Sequence, residues 1–81
     1  MKTVLTDRAI ESLTDAPAAV QRAFEKQLRF LRDNLQHPSL RAKKFDESNN
    51  VWQARVTRDW RFYFIIEKDH YVITNVIPHP K

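Results

Sequence analysis

Residues 51–66 read VWQARVTRDWRFYFII, and their alternation decides the fold. In the first run Trp52, Ala54 and Val56 fall on one face of a strand, with Gln53, Arg55 and Thr57 on the other. In the second run Phe62, Phe64 and Ile66 oppose Arg61, Tyr63 and Ile65. A short polar turn at Arg58-Asp59 separates the two runs, so they read as a hairpin. Its register can be tested against its own pattern. A two-residue loop with unbroken pairing sets Val56 against Arg61 and Arg55 against Phe62, which mixes the faces. One residue more in the loop, Arg58 to Trp60, pairs Thr57 with Arg61, Arg55 with Tyr63, Val56 with Phe62 and Ala54 with Phe64. A one-residue slip turns every side chain over, so an odd loop or a bulge is expected here. Arg55 and Arg61 then share the open face on neighbouring strands, with Tyr63 beside them. Two guanidiniums so placed can reach one phosphate.

Working outward, Glu67 to His70 makes a second turn, and His70 to Ile77 a third strand stopped by Pro78 and Pro80. Upstream, Asp46 to Asn50 is a turn, preceded by a basic connection (Arg41, Lys43, Lys44) and Phe45. Before His37-Pro38, the residues Val20, Phe24, Leu28, Leu31 and Leu35 form the buried stripe of a helix. Arg22, Lys26, Arg29 and Asp33 take its opposite face. Phe30 lies off the stripe, near Ala19 and Ala23, placed to receive the first helix or a partner. Asp15 is the expected cap of this helix, with Pro17 in its first turn. A shorter helix, capped by Thr6 or Asp7, runs to about Thr14, and Lys2 to Leu5 is β-prone. The order is βααβββ. The expected class is α+β, two N-terminal helices packed on a twisted antiparallel sheet.

The chain has 81 residues, 42% of them hydrophobic, which suits one domain over residues 1–81. There is no cysteine, so disulfides and thiolate chemistry are excluded, in keeping with a reducing cytoplasm. No stretch reads as a signal peptide or a membrane span. Fourteen Lys/Arg against ten Asp/Glu leave a formal charge of +4. That balance suits a polyanionic or acidic partner, or simply solubility. With no glycine, positions of positive φ are expected to fall to Asn or Asp, or to be avoided.

Candidate chemistry gathers at the sheet. Cleaving RNA internally needs a base for the 2′-hydroxyl, charge stabilisation at the phosphate and an acid for the leaving 5′-oxygen. Arg55, Arg61 and His79 form a set that can supply these functions, since an imidazole titrates near neutral pH. Lys43, Lys44, Arg58 and Tyr63 are candidate substrate contacts. The competing account is ordinary: arginines on a sheet pairing with local acids, a lysine doublet in a solvated turn, a surface histidine near the terminus. The histidines have no metal-ligand spacing, and no metal or cofactor is expected.

The stretch from Asn50 to Phe64, followed by a hairpin and by VIPHPK at residues 76–81, resembles the RelE/ParE toxins of toxin–antitoxin pairs, in particular the YoeB-like members. The helix at residues 18–24, AAVQRAF, extends the resemblance over nearly all of the chain. The resemblance implies a βααβββ fold and, in RNA-cleaving members, a cut in messenger RNA held in the ribosomal A site. It matches Arg61 to the arginine that stabilises the scissile phosphate and His79 to a C-terminal histidine used in proton transfer by some members. Arg55 matches a basic residue past the tryptophan, and Lys43 and Lys44 a basic connection used for RNA contact. Two features depart from the family. The catalytic glutamate of YoeB-like toxins has no clear counterpart, Asp46 and Glu47 being the nearest acids, and the sequence ends two residues after His79 without an aromatic tail.

The expected function is therefore a ribosome-dependent mRNA endoribonuclease that inhibits translation. The alternatives are a ParE-like, non-enzymatic DNA gyrase inhibitor and a basic nucleic-acid-binding module without catalysis. Any toxin reading implies a cognate antitoxin, acidic and partly disordered, wrapped on the basic surface. Phe30 and Phe45 are its possible anchors, or else core residues.

Overall fold

The computed structural model describes residues 1–79. Its elements are β1 (Lys2–Leu5), α1 (Asp7–Thr14), α2 (Ala18–Asp33), a 3-10 turn (Pro38–Leu40), β2 (Lys43–Asp46), β3 (Val51–Thr57), β4 (Trp60–Glu67) and β5 (His70–Pro78). The expected α+β class holds, with a five-stranded sheet in the order β1-β5-β4-β3-β2. Two details differ from expectation. The basic connection is itself an edge strand, β2, antiparallel to β3. Two adjacent lysines in a four-residue segment carry no usable alternation, and pairing with β3 overrides their weak strand preference. The N-terminal strand pairs parallel with β5, because two helices intervene and return the chain to the same end of the sheet. The sheet is thus mixed, antiparallel only from β5 to β2.

The stripe on α2 buries as its spacing predicts. Val20, Phe24, Leu28 and Leu31 pack with Ala54, Val56, Phe62, Phe64, Ile73 and Val76. Phe24 meets Phe62 edge to face at 5.4 Å, a geometry favoured by the ring quadrupoles. Thr6 caps α1 by accepting from Ala9 N–H at 3.2 Å. The cap of α2 differs from expectation: Pro17 holds that position without a side-chain bond, and Asp15 ends α1 instead. Gln21 Nε2 ties the two helices by donating to the Leu13, Thr14 and Ala16 carbonyls. Phe30 is partly buried against the core. It stacks on His37 at 3.8 Å, under Lys26 Nζ.

Each antiparallel pair carries a register shift, with one extra residue on one strand. The extra residues are Phe45 on β2, Val56 on β3 and Thr74 on β5. The β3–β4 hairpin therefore combines both sequence alternatives in another way. The loop is the two-residue Arg58-Asp59, and the Val56 bulge restores the face. Arg55 lies opposite Arg61, and Ala54 opposite Phe62. Apolar still meets apolar, as the alternation requires, but one step from the pairing expected of a longer loop. Positive φ falls on Arg41, Asn50 and Lys68. Only Asn50 fits the expectation; at the other two, turn geometry overrides a cost of about 1–2 kcal/mol per residue. Pro80 and Lys81, and with them the expected stop at Pro80, lie outside the described residues.

Candidate functional site

Directly opposed residues on antiparallel strands share a face, with Cβ atoms roughly 5 Å apart. Arg55 and Arg61 are such a pair. Like charges so opposed destabilise a sheet unless something offsets them. Burial, then the charges of Arg55 and Arg41, lower the Arg61 guanidinium from its ordinary pKa, though Tyr63 and Asp59 act the other way. The group stays charged, as guanidinium does in proteins. Among the described residues no Lys or Arg forms an ion pair with a carboxylate; the one ion pair is His70 Nδ1 to Asp69 Oδ1, 2.8 Å. The two arginines therefore do not pair with local acids.

The Arg61 side chain folds back over the β3–β4 turn. Its Nη1 donates to the Thr57, Trp60 and Arg58 carbonyls at 2.8, 3.0 and 3.2 Å. One nitrogen of the fork thus closes the turn, while Nε and Nη2 make no hydrogen bond among the described residues. The same turn holds residue 79: His79 N–H donates to the Asp59 carbonyl at 2.7 Å. Trp60 pairs with Pro78, and Arg61 with Ile77. His79 is exposed, and its backbone is anchored within the loop that Arg61 closes.

Arg55 is placed from behind. Gln27 on α2 is only 5% exposed, and its Nε2 donates to the Arg55 carbonyl at 2.8 Å and the Ser39 carbonyl at 3.0 Å. Its Oε1 accepts from Ser39 Oγ at 3.2 Å. β2 ends its pairing at Gln53, so the Arg55 carbonyl lies beyond that neighbour and Gln27 meets it. A cleft of about 390 Å³ opens here, with Lys26, Gln27, Ser39, Arg41 and Arg55 among its walls. Neither Gln27 nor Arg41 is among the contacts expected from the sequence, which places Arg41 only in the basic connection. Gln27 looks like any polar helix residue, and Arg41 reaches this place through its left-handed backbone, φ 47°.

The other candidates scatter. Lys43 lies opposite Gln53 in the row of Tyr63 and Asn75, exposed on the arginines' face. Lys44 lies opposite Trp52 on the other face. Its Nζ sits 5.4 Å from the Trp52 ring centre and donates to Asn50 Oδ1 at 2.6 Å, so it leaves the cluster. Arg58 sits exposed in the β3–β4 turn. Tyr63, two residues from Arg61, meets Phe45 at 4.9 Å. Asp46 is engaged in its own turn, accepting from Ser48 and Asn49. Bonds from the Asn49 and Ser48 side chains hold its carboxyl below the usual carboxylate range. Asp46 pairs with Val51 at the start of β3. It lies about 13 Å along that strand from Arg55. Glu47 follows it. Among the described residues neither acid forms an ion pair with Arg55 or Arg61. Among the described residues no group of three or more His, Asp or Glu is placed to hold a metal ion.

Comparison with solved structures gives this arrangement its context. The YoeB/ParE toxin from Agrobacterium tumefaciens matches at TM-score 0.81 and 14% identity, over 99% of this chain and 100% of that one. The fold is that of the RelE and YoeB toxins. The RelB–RelE antitoxin–toxin complex from Methanococcus jannaschii matches at TM-score 0.77 and 13% identity, over 93% and 88%. YafQ from E. coli matches at 0.79 and 12%, over 96% and 92%. At the level of sequence no family model and no curated protein matches the chain. In this RelE/YoeB fold, no helix among the described residues is long and apolar enough to cross a membrane.

Proposed function

We propose that the chain is the toxin of a toxin–antitoxin pair and acts as a ribosome-dependent mRNA endoribonuclease. The observation that carries this reading is the cross-strand pair Arg55–Arg61, without carboxylate partners and closed onto the turn that anchors His79. Two opposed cations weaken a free sheet and gain from an anion laid between them. In the proposed reaction the 2′-hydroxyl oxygen attacks the adjacent phosphorus and loses its proton, and the P–O5′ bond breaks as the leaving oxygen gains one. Arg55 and the free N–H groups of Arg61 offset the charge that gathers on the phosphoryl oxygens. His79 is the imidazole available at this turn to carry a proton. Arg41 and Lys43 widen the cationic field along the approaching strand. The cell compartment that suits this role is the cytoplasm.

The antitoxin reading draws on the RelB–RelE complex among the structural neighbours and on the charge of +4. An acidic segment laid across Arg55, Arg61 and Lys43 would exclude the messenger. The test is induced expression of wild type, Arg61→Ala and Arg61→Lys at equal levels, with primer extension on a messenger. Wild type is expected to arrest growth with cuts in the ribosomal A site. Arg61→Ala is expected to abolish both, and Arg61→Lys to retain a small fraction, since a point charge lacks the guanidinium fork. Full toxicity of a folded Arg61→Ala protein refutes the reading. Broken DNA without messenger cuts establishes the gyrase-directed alternative instead.

A further inference from the structure

Phe45 is 60% exposed, more than any other large hydrophobic residue among those described. It is the extra residue of the β2 bulge, and bulges near functional sites re-aim side chains. Here the ring is aimed over the open face of the sheet, where it meets Tyr63 at 4.9 Å with ring planes 70° apart. The pair walls a shallow cleft of about 280 Å³, shared with Arg8, Val51, Asn75 and Ile77.

What surrounds it identifies the ligand class. Arg8 rims the cleft, Lys43 lies two residues before Phe45, and Arg61 lies two residues before Tyr63 on the same face. Same-face neighbours on a strand stand about 7 Å apart, the scale separating a phosphate from a neighbouring base along a single strand. We propose that Phe45 and Tyr63 form a base-stacking subsite for single-stranded RNA, beside the phosphate position at Arg55 and Arg61. The proposal rests on the phosphate reading of that pair and adds the base recognition it lacks. Stacking accepts any base through its π-face, so the subsite holds the strand without reading its sequence. The apolar pair, not further charge, then sets how firmly the nucleotide beside the phosphate is seated.

The full chain is titrated with an oligoadenylate RNA hexamer and with an abasic strand of equal phosphate number, across salt concentrations. Phe45→Ala is expected to weaken hexamer binding about tenfold or more, with an unchanged salt slope, and to leave abasic binding unaltered. Phe45→Tyr, which keeps a ring, is expected to restore wild-type affinity. Arg55→Ala is expected to weaken both strands and reduce the slope by about one phosphate contact. Equal loss on both strands, or no loss for Phe45→Ala, overturns the stacking subsite while the arginine effects stand. Unaltered binding by Arg55→Ala and Arg61→Ala overturns the phosphate reading itself. A Phe45→Ala protein that keeps hexamer affinity but loses an acidic peptide assigns the cleft to a polypeptide and also overturns the proposal.

Discussion

Replacing Gln27 by Leu would test how the fold holds Arg55. The change deletes two donated bonds and one accepted bond at a side chain only 5% exposed. Ser39 is exposed and can turn to water. The Arg55 carbonyl, part-buried at this bond, loses its partner, at about 1–3 kcal/mol. The lost bonds to Ser39 add about 1 kcal/mol, and the apolar Leu side chain recovers part of the sum. A net loss of about 2–3 kcal/mol is expected, or roughly 10–20 °C in Tm for a domain of this size. Gln27→Glu keeps the volume but turns both donors into acceptors facing carbonyl oxygens. Its carboxyl pKa should rise on folding, so the folded state binds the proton more tightly. The sign follows from linkage: the variant is nearest to wild type at low pH and loses stability as pH rises through the raised folded value. Urea unfolding of the three proteins at pH 5 and pH 8 measures both effects. A Gln27→Leu protein within about 0.5 kcal/mol of wild type, or a Gln27→Glu deficit identical at the two pH values, refutes the clamp.

Other outcomes follow from the same geometry. Arg55→Gln removes one member of a like-charged pair and should stabilise the fold by a few tenths to about 1 kcal/mol, more at low salt, as thermal denaturation in a salt series would show; a loss of stability contradicts the repulsion. Lys68 holds φ 52° in the β4–β5 turn, so Lys68→Gly should raise stability by about 1 kcal/mol, and a lower Tm would mean the strain is compensated. Asp46 holds its turn as a carboxylate with a lowered pKa. Its contribution is present above the unfolded pKa and fades as pH falls through the lowered folded value. An NMR titration should therefore place its midpoint below the usual carboxylate range, with Ser48 and Asn49 amides loosening only in stronger acid. A midpoint inside that range would deny those bonds.

The parts of the site legible in the sequence were those that depend on parity. The apolar alternation of residues 51–66 demanded a correction of one residue in the hairpin, and that correction brought Arg55 and Arg61 to one face. Whether a longer loop or a bulge would supply it was beyond local reasoning, because both restore the pattern. The bulge made the arginines direct partners, where the longer loop had set Arg55 against Tyr63. Lys43 and Lys44 show the reverse case. Read as one basic doublet, they are divided by a strand that sends consecutive side chains to opposite faces.

Periodicity and punctuation alone determined the element order from β1 to β5, apart from the edge strand β2, and the stripe of α2 that fills the core. These follow from burying apolar atoms, and the sequence records that requirement directly. Tertiary structure alone decided that Gln27 meets the Arg55 carbonyl, that Arg41 joins the cationic field, that Phe45 stands over Tyr63 and that His79 is tied to the loop closed by Arg61. Each depends on segments far apart in the chain meeting through single hydrogen bonds or bulges. Such contacts leave no period in the sequence, because a single hydrogen bond or bulge has no repeat to record.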